Sequence, residues 1–327
     1  MPAERIRALV TAPFRGEGLD RLRELGDVEL DPWIDYNPMR LYGPEQLAER
    51  LKESGADVLI CEADFCSGPV FDLPLRAIGS TRGDPTNVDV PGATAAGIPV
   101  LHAPGRNADG VAEMTIALLF AAARHVVPGD ADVRAGEVFR EGTIPYQRYR
   151  AWELNGRTAG LVGLGAIGRA VRWRLEGLGM TVLASDPYAK DANASLDEVI
   201  EQSDVVSLHA AITPETLGMI GPDQFARMKD GVIFLNAARE DLHSRDALTA
   251  ALQSGKVAAA GLDHFAGEQL PTDHPLVSMR NVVLTPHIGG ATYNTEANHS
   301  RMIAEDLARL LAGERPQRIA NPEVLDK

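Results

Sequence analysis

The stretch Thr158-Ala159-Gly160-Leu161-Val162 runs straight into Gly163-Leu164-Gly165-Ala166-Ile167-Gly168, and a helix-like pattern follows over 169–178. A strand, a turn with glycine at its first, third and sixth positions, and a helix in immediate succession leave few folds open. Gly163 permits the tight turn, Gly165 lets backbone approach a ligand, and Gly168 lets the helix pack closely on the strand. Ala166 and Ile167 open the helix, and their free N–H groups suit a pyrophosphate. The pattern predicts the first βαβ unit of a doubly wound domain that binds a dinucleotide.

The second strand of that unit, 181–185, leads into Asp186, eighteen residues after Gly168. A carboxylate there can accept hydrogen bonds from both adenosine-ribose hydroxyls and repels a 2′-phosphate. NAD is therefore expected rather than NADP, unless a nearby arginine takes the phosphate.

Apolar, β-branched runs recur on both sides of this unit, as they do in parallel sheets buried on both faces. One series reads as strands at 7–12, 57–61, 76–80 and 98–101; a second reads as strands at 158–162, 181–185, 204–208, 232–236, 257–262 and 282–285. Between them, 108–126 is expected to be one long buried helix stopped by Pro128-Gly129, and 292–313 a second long helix ending at Gly313. The fold class is α/β, with two doubly wound parallel-sheet domains: 327 residues exceed what one hydrophobic core usually organises.

A net charge of −14 opposes nucleic acid and anionic lipid at long range but leaves an anionic substrate open, because a pocket sets its own local potential. The longest apolar run, 114–123, is too short to span a membrane. Cys61 and Cys66 show no ligand spacing, and no HExxH or His/Cys cluster accompanies them, so no metal is expected. Without a signal-peptide layout at its start, the chain is expected to be cytoplasmic.

Three later segments add chemistry: Asn236-Ala237-Ala238-Arg239, Gly261-Leu262-Asp263 with Glu268, and Thr285-Pro286-His287-Ile288-Gly289-Gly290. Together with Asn87-Val88-Asp89 and Ala103-Pro104-Gly105-Arg106-Asn107, they make the chain resemble the D-isomer-specific 2-hydroxyacid dehydrogenases of the phosphoglycerate dehydrogenase-like type, over nearly its whole length. The resemblance implies a flavodoxin-like substrate domain, 1–103 plus 291–327, interrupted by a Rossmann NAD domain, 104–290, and a homodimer built through the NAD domains. It implies hydride exchange between NAD and the 2-position of a small hydroxy or oxo acid.

By position, the resemblance makes Arg239 the residue that binds the substrate carboxylate or carbonyl, His287 the acid and base, and Glu268 the partner of the imidazole. A charged imidazole can neutralise the oxygen as hydride reaches the carbon, and a guanidinium can grip a carboxylate with two prongs. Asp263 would bond the nicotinamide carboxamide. His209, Ala210, Ala237, Ala238, Gly289 and Gly290 would complete the nucleotide site. His102, His125, His243, His264, His274 and His299 have no such company and are expected to be structural.

Two departures from the family pattern stand out. Glu240 and Asp241 follow Arg239 where the family usually has two glycines, so either acid could pair with the arginine. In the presumptive substrate loop, Ser80-Thr81-Arg82-Gly83-Asp84-Pro85, Arg82 and Asp84 replace smaller residues. Arg82, with Arg106, is expected to hold a second anionic group; Asp84 instead suits a substrate hydroxyl or a pair with Arg82. These changes keep open a substrate of the phosphonate, phosphite or formate type, and the fold alone keeps open an NAD-sensing corepressor. The segment Tyr146 to Trp152 reads as interface packing or as a loop reaching the site.

Overall fold

The computed structural model describes residues 5–326, which divide into two compact units: 5–106 with 292–326, and Asn107–Ala291.

The first unit holds β1 (Ile6–Val10), α1 (Gly16–Leu25), β2 (Gly26–Leu30), α2 (Pro44–Ser54), β3 (Val58–Cys61), β4 (Ala77–Ser80), α3 (Val90–Ala95) and β5 (Val100–Leu101). Its sheet is parallel in the order β2-β1-β3-β4-β5. Every residue of β3 and β4 is buried, which explains the apolar run of β3 and the small and apolar residues of β4 before Ser80, whose hydroxyl donates to Asn87 Oδ1. β2 was not among the expected strands. Only its first residue is buried, so this edge strand carries no apolar run to reveal it.

The C-terminal helix, Tyr293–Leu311, belongs to this unit and packs on α1. The approach is close at Gly18, where a Cβ would lie 2.1 Å from the Ser300 carbonyl carbon. Ile303 and Leu307 enter the core beside Ile6, Ala8 and Leu22. His299 joins the helix to the loop after β1: its Nε2 lies 2.6 Å from Pro13 O, and its Nδ1 lies 2.7 Å from an Arg106 nitrogen.

The second unit opens with α4 (Ala108–Ala123), α5 (Val126–Ala135) and the short α6 (Pro145–Arg148). Then come β6 (Thr158–Val162), α7 (Ala166–Gly177), β7 (Thr181–Ser185), α8 (Leu196–Gln202), β8 (Val205–Leu208), α9 (Pro222–Arg227), β9 (Val232–Asn236), α10 (Arg245–Gln253), β10 (Val257–Leu262), α11 (Pro275–Ser278) and β11 (Val282–Leu284). The parallel sheet runs β7-β6-β8-β9-β10-β11, the order of the first unit extended by one strand. Chain direction across the sheet reverses at β6, so the crevice for a ligand opens where β6 and β8 end.

The expected single helix over 108–126 is two helices bent by 60°. The break falls at His125, which adopts a left-handed conformation (φ 54°). Pro128-Gly129 does not stop the chain; Pro128 sits in the first turn of α5, where a missing N–H costs nothing. α4 is buried against α7, β9 and β10. No single described helix is long and apolar enough to cross a membrane. Cys61 and Cys66 are buried free thiols.

Candidate active site

Because all strands of the second unit are parallel, the segments that follow β6, β8, β9, β10 and β11 emerge at one edge of its sheet. These segments carry the glycine turn, His209-Ala210, Arg239, Asp263 and His287, respectively.

Two of the three glycines are demanded by different neighbours. Gly163 has φ 98°, and a Cβ there would lie 2.5 Å from Ala210 N, so the β6 turn and the β8 loop touch backbone to backbone. A Cβ on Gly168 would lie 2.2 Å from Gly163 O, which fixes α7 against the turn. Gly165 has nothing within 4 Å of its Cβ position. The open space lies at the start of α7, beside the N–H groups of Ala166 and Ile167, where a pyrophosphate fits.

Asp186 closes the other side of this turn. It accepts hydrogen bonds from Leu164 N–H (2.7 Å), Tyr188 N–H (2.8 Å) and Ala189 N–H (3.2 Å). Burial alone would lift its carboxyl; the three amides hold it below the usual carboxylate range. Anchored and ionised, the carboxylate keeps lone pairs for two ribose hydroxyls. His209 bonds Ser207 Oγ at 2.9 Å, and burial pushes its pKa down to about 4, so it lines the turn as a neutral ring. The residues present fit NAD.

His287 follows β11 with φ 54°, a left-handed conformation that turns its ring out of the chain path. Asp263 holds that turn in place. Only 1% exposed, it accepts Thr285 Oγ1–H (2.5 Å), Ile288 N–H (3.0 Å) and Gly289 N–H (2.7 Å). Its observed partners are therefore the loop around His287, a role not foreseen from the sequence. A Cβ on Gly289 would lie 2.9 Å from Asp263 Oδ2, and one on Gly290 3.1 Å from Asn107 Nδ2.

The imidazole Nδ1 of His287 lies 2.8 Å from Glu268 Oε1. Its Nε2 has no partner among the described residues and is the nitrogen left for a reacting oxygen. Glu268 sits at φ 58°, directly after Gly267 at φ 69°, so two successive left-handed residues aim its carboxylate. Arg239 is exposed at the end of the β9 segment, and one guanidinium nitrogen donates to Ala238 O (2.8 Å). Its other N–H groups have no partner among the described residues. Ala237 is buried beside it, and Ala238 N–H donates to Asn236 Oδ1 (2.9 Å).

Neither Glu240 nor Asp241 forms an ion pair with Arg239 among the described residues. Glu240 is 6% exposed and pairs with Arg245, not Arg239. Its second oxygen accepts Ala266 N–H at 2.6 Å, and Arg245 with that amide offsets burial and holds the carboxyl below its usual range.

His264, expected to be structural, lies in this group. Its ring stands edge-on to His287, with centroids 4.8 Å apart, and its Nε2 is 3.6 Å from Glu268 Oε1. His264, Glu268 and His287 have the composition of a two-histidine, one-carboxylate metal set. The Glu240 N–H, however, donates to His264 Nδ1 (3.2 Å), which leaves the proton on Nε2 and makes that nitrogen a donor in this arrangement. The available signal for His264 was its place next to Asp263, inside the motif that carries Glu268.

In the first unit, Arg82 folds back: Nε donates to Glu62 O (2.6 Å) and Nη1 to Thr86 Oγ1 (3.1 Å). Arg106 pairs with Glu62 Oε1 at 2.5 Å. Asp84 forms no ion pair with Arg82 among the described residues. Gly83 O lies 2.8 Å from His102 Nδ1, and a Cβ on Gly83 would meet Pro104 Cα at 3.5 Å.

The doubly wound sheets and the glycine turn anchored by Asp186 define an NAD-dependent dehydrogenase. Residues 116–289 match the model of the D-isomer specific 2-hydroxyacid dehydrogenase, NAD binding domain. The chain is 36% identical over 329 residues to a glyoxylate reductase from Korarchaeum cryptofilum, covering 98% of this chain and 97% of that protein. It is 35% identical over 318 residues to a D-3-phosphoglycerate dehydrogenase from Archaeoglobus fulgidus, covering 94% of this chain and 58% of that protein. Among solved structures, the TT0316 protein from Thermus thermophilus is similar with a TM-score of 0.80 and 36% identity, over 96% of this chain and all of that one. The chain belongs to the D-isomer-specific 2-hydroxyacid dehydrogenase family.

Proposed function

We propose that the enzyme interconverts a small 2-oxo acid and the corresponding D-2-hydroxy acid, with His287 as the general acid and base. The observation that carries this reading is the His287 ring, bonded through Nδ1 to Glu268 and free at Nε2. NADH, when bound, supplies the hydride for the 2-carbon. His287 Nε2 holds the proton that the carbonyl oxygen needs as negative charge grows on it, and takes it back in the oxidative direction. Glu268 orients the ring and balances its charge while it is protonated. Arg239, with N–H groups to spare, grips the substrate carboxylate in two-pronged fashion and fixes the carbonyl face.

Because Glu62 already engages both Arg82 and Arg106, a substrate with a single carboxylate is favoured over one with a second anionic group. The similarity to a protein named glyoxylate reductase points the same way. An acid/base pair poised for turnover argues for catalysis over sensing alone.

The test is His287→Asn. Loss of general acid catalysis should lower kcat by about 10²–10⁴-fold and leave the Kd for NADH near the parent value. Unchanged turnover across a panel of mono- and dianionic oxo acids would defeat the assignment.

Exposed Val126, Val127, Val133, Phe139, Ile144, Tyr146 and Trp152 on 126–152 support a homodimer through the NAD-binding unit, which sedimentation equilibrium would detect as twice the chain mass. Two unpaired thiols suit a reducing cytoplasm, which cell fractionation can check.

A further inference from the structure

Glu268 has an exacting task and a poor platform. Its side chain is more than half exposed, and it follows Gly267 on a short turn in which both residues have positive φ. Such a carboxylate has several solvated orientations available, and only one of them meets Nδ1 of His287. Something beyond the turn itself must select it.

The side chain placed to do so is His264, four residues earlier, whose own side chain is only 10% exposed. Its tautomer is dictated by the backbone: Glu240 N–H donates to Nδ1 at 3.2 Å, so the ring proton resides on Nε2. Nε2 is 3.6 Å from Glu268 Oε1, the same oxygen that meets His287: longer than a hydrogen bond, but close enough for the N–H dipole to attract the carboxylate. The charged groups around the ring are Arg239 and Asp241 from the β9 loop, together with Glu268 and His287. Burial, helped by Arg239 and His287, pushes His264 below the usual imidazole range and keeps it a neutral donor near neutral pH. The support under it is equally fixed. The Glu240 carboxylate is tied to Arg245 of α10 and to Ala266 N–H, so one residue braces the turn through its backbone at His264 and through its side chain at Ala266.

We propose that His264 is a positioning residue: its Nε2–H, oriented by the amide of Glu240, keeps the Glu268 carboxylate on Nδ1 of His287. This inference rests on the acid/base reading of His287. Glu240 and His264 then form one device, in which an acid at the position after Arg239 supplies the brace and a histidine after Asp263 supplies the donor. The loss of a glycine beside Arg239 is thereby connected to the aim of a carboxylate elsewhere in the site.

The test compares His264→Phe, which keeps the ring volume and removes the donor, with His264→Gln, whose amide nitrogen replaces Nε2–H. In the reductive direction His264→Phe should lower kcat about 3- to 10-fold and move the alkaline fall in kcat to lower pH, because Glu268 no longer steadies the protonated His287. KM for NADH should stay near the parent value, and the melting temperature should fall as the Glu240 N–H loses its acceptor, a structural cost that does not by itself move the pH profile. His264→Gln should restore both the rate and the pH profile. A parent-like kcat and pH profile in His264→Phe, while His287→Asn is inactive, would overturn this proposal alone; an active His287→Asn would overturn the reading beneath it as well. A failed rescue by Gln would also overturn it, by removing the donor from the explanation. Independently of any variant, the imidazole ¹⁵N shifts of the parent enzyme should report the Nε2–H tautomer at His264, and an Nδ1–H tautomer would overturn the assignment.

Discussion

Glu240 directly follows Arg239, yet its carboxylate turns to Arg245, with one oxygen 2.5 Å from Nη2. An acid placed to compromise the cation proposed to bind substrate is thus neutralised by a different arginine, and Arg239 has no carboxylate partner among the described residues. Removing one partner of a buried ion pair costs more than the pair contributes, because the other charge is left without compensation.

Glu240→Ala should therefore destabilise the protein by roughly 2–4 kcal/mol, since Arg245 and Ala266 N–H both lose their acceptor. Urea unfolding monitored by circular dichroism measures this. A loss below about 0.5 kcal/mol would mean that solvent replaces the pair.

The glycine turn makes two opposite predictions. Gly168→Ala brings a methyl within 2.2 Å of Gly163 O and should lower the melting temperature sharply. A Cβ on Gly165 would meet nothing within 4 Å, so Gly165→Val should leave the fold intact, yet it fills the space assigned to pyrophosphate. NADH fluorescence titration should then show at least a tenfold weaker Kd in a protein that melts like the parent.

The preference for NAD over NADP is proposed to rest on Asp186. Replacing it by Ala removes the charge that repels a 2′-phosphate, and the ratio of kcat/KM for NADPH to that for NADH should rise about tenfold or more. An unchanged ratio would place the ribose contact on another residue.

His243 is 5% exposed against Phe234, and burial pushes its pKa from 6.5 down to about 4. In the unfolded chain it binds a proton at higher pH than in the native state. Its contribution to stability is thus complete above about pH 6.5 and is lost as pH falls towards 4. The loss amounts to roughly 3 kcal/mol. His243→Gln should flatten the acid limb of a stability-versus-pH profile between those limits, measured by urea unfolding at each pH.

The central architecture was legible because buried parallel strands and the glycine turn write themselves locally: β3, β4, β6 and β9 are apolar runs, and Gly163, Gly165 and Gly168 each answer to a distinct constraint. β2 was invisible because an edge strand with one buried residue has no reason to be apolar. The break at His125 was missed because Pro128 is a stop signal only inside a helix, and here it lies in the first turn of the next one. In the site, the family resemblance singled out Arg239, Glu268 and His287, and the His287–Glu268 contact is present, but the partners of Glu240 and His264 were not legible. Those depend on which way a side chain turns once a backbone amide has claimed one atom of it, and that choice is made by packing.

The closure of α1 over the C-terminal helix has a bearing on synthesis. The ribosome releases the first 106 residues well before the helix that covers Gly18, Ile6 and Leu22 exists, while the 185 residues between can complete their own core as they emerge. This unit is thus assembled last from two distant pieces of chain. Until the C-terminal helix emerges, its oily flank lies open to chaperones and proteases.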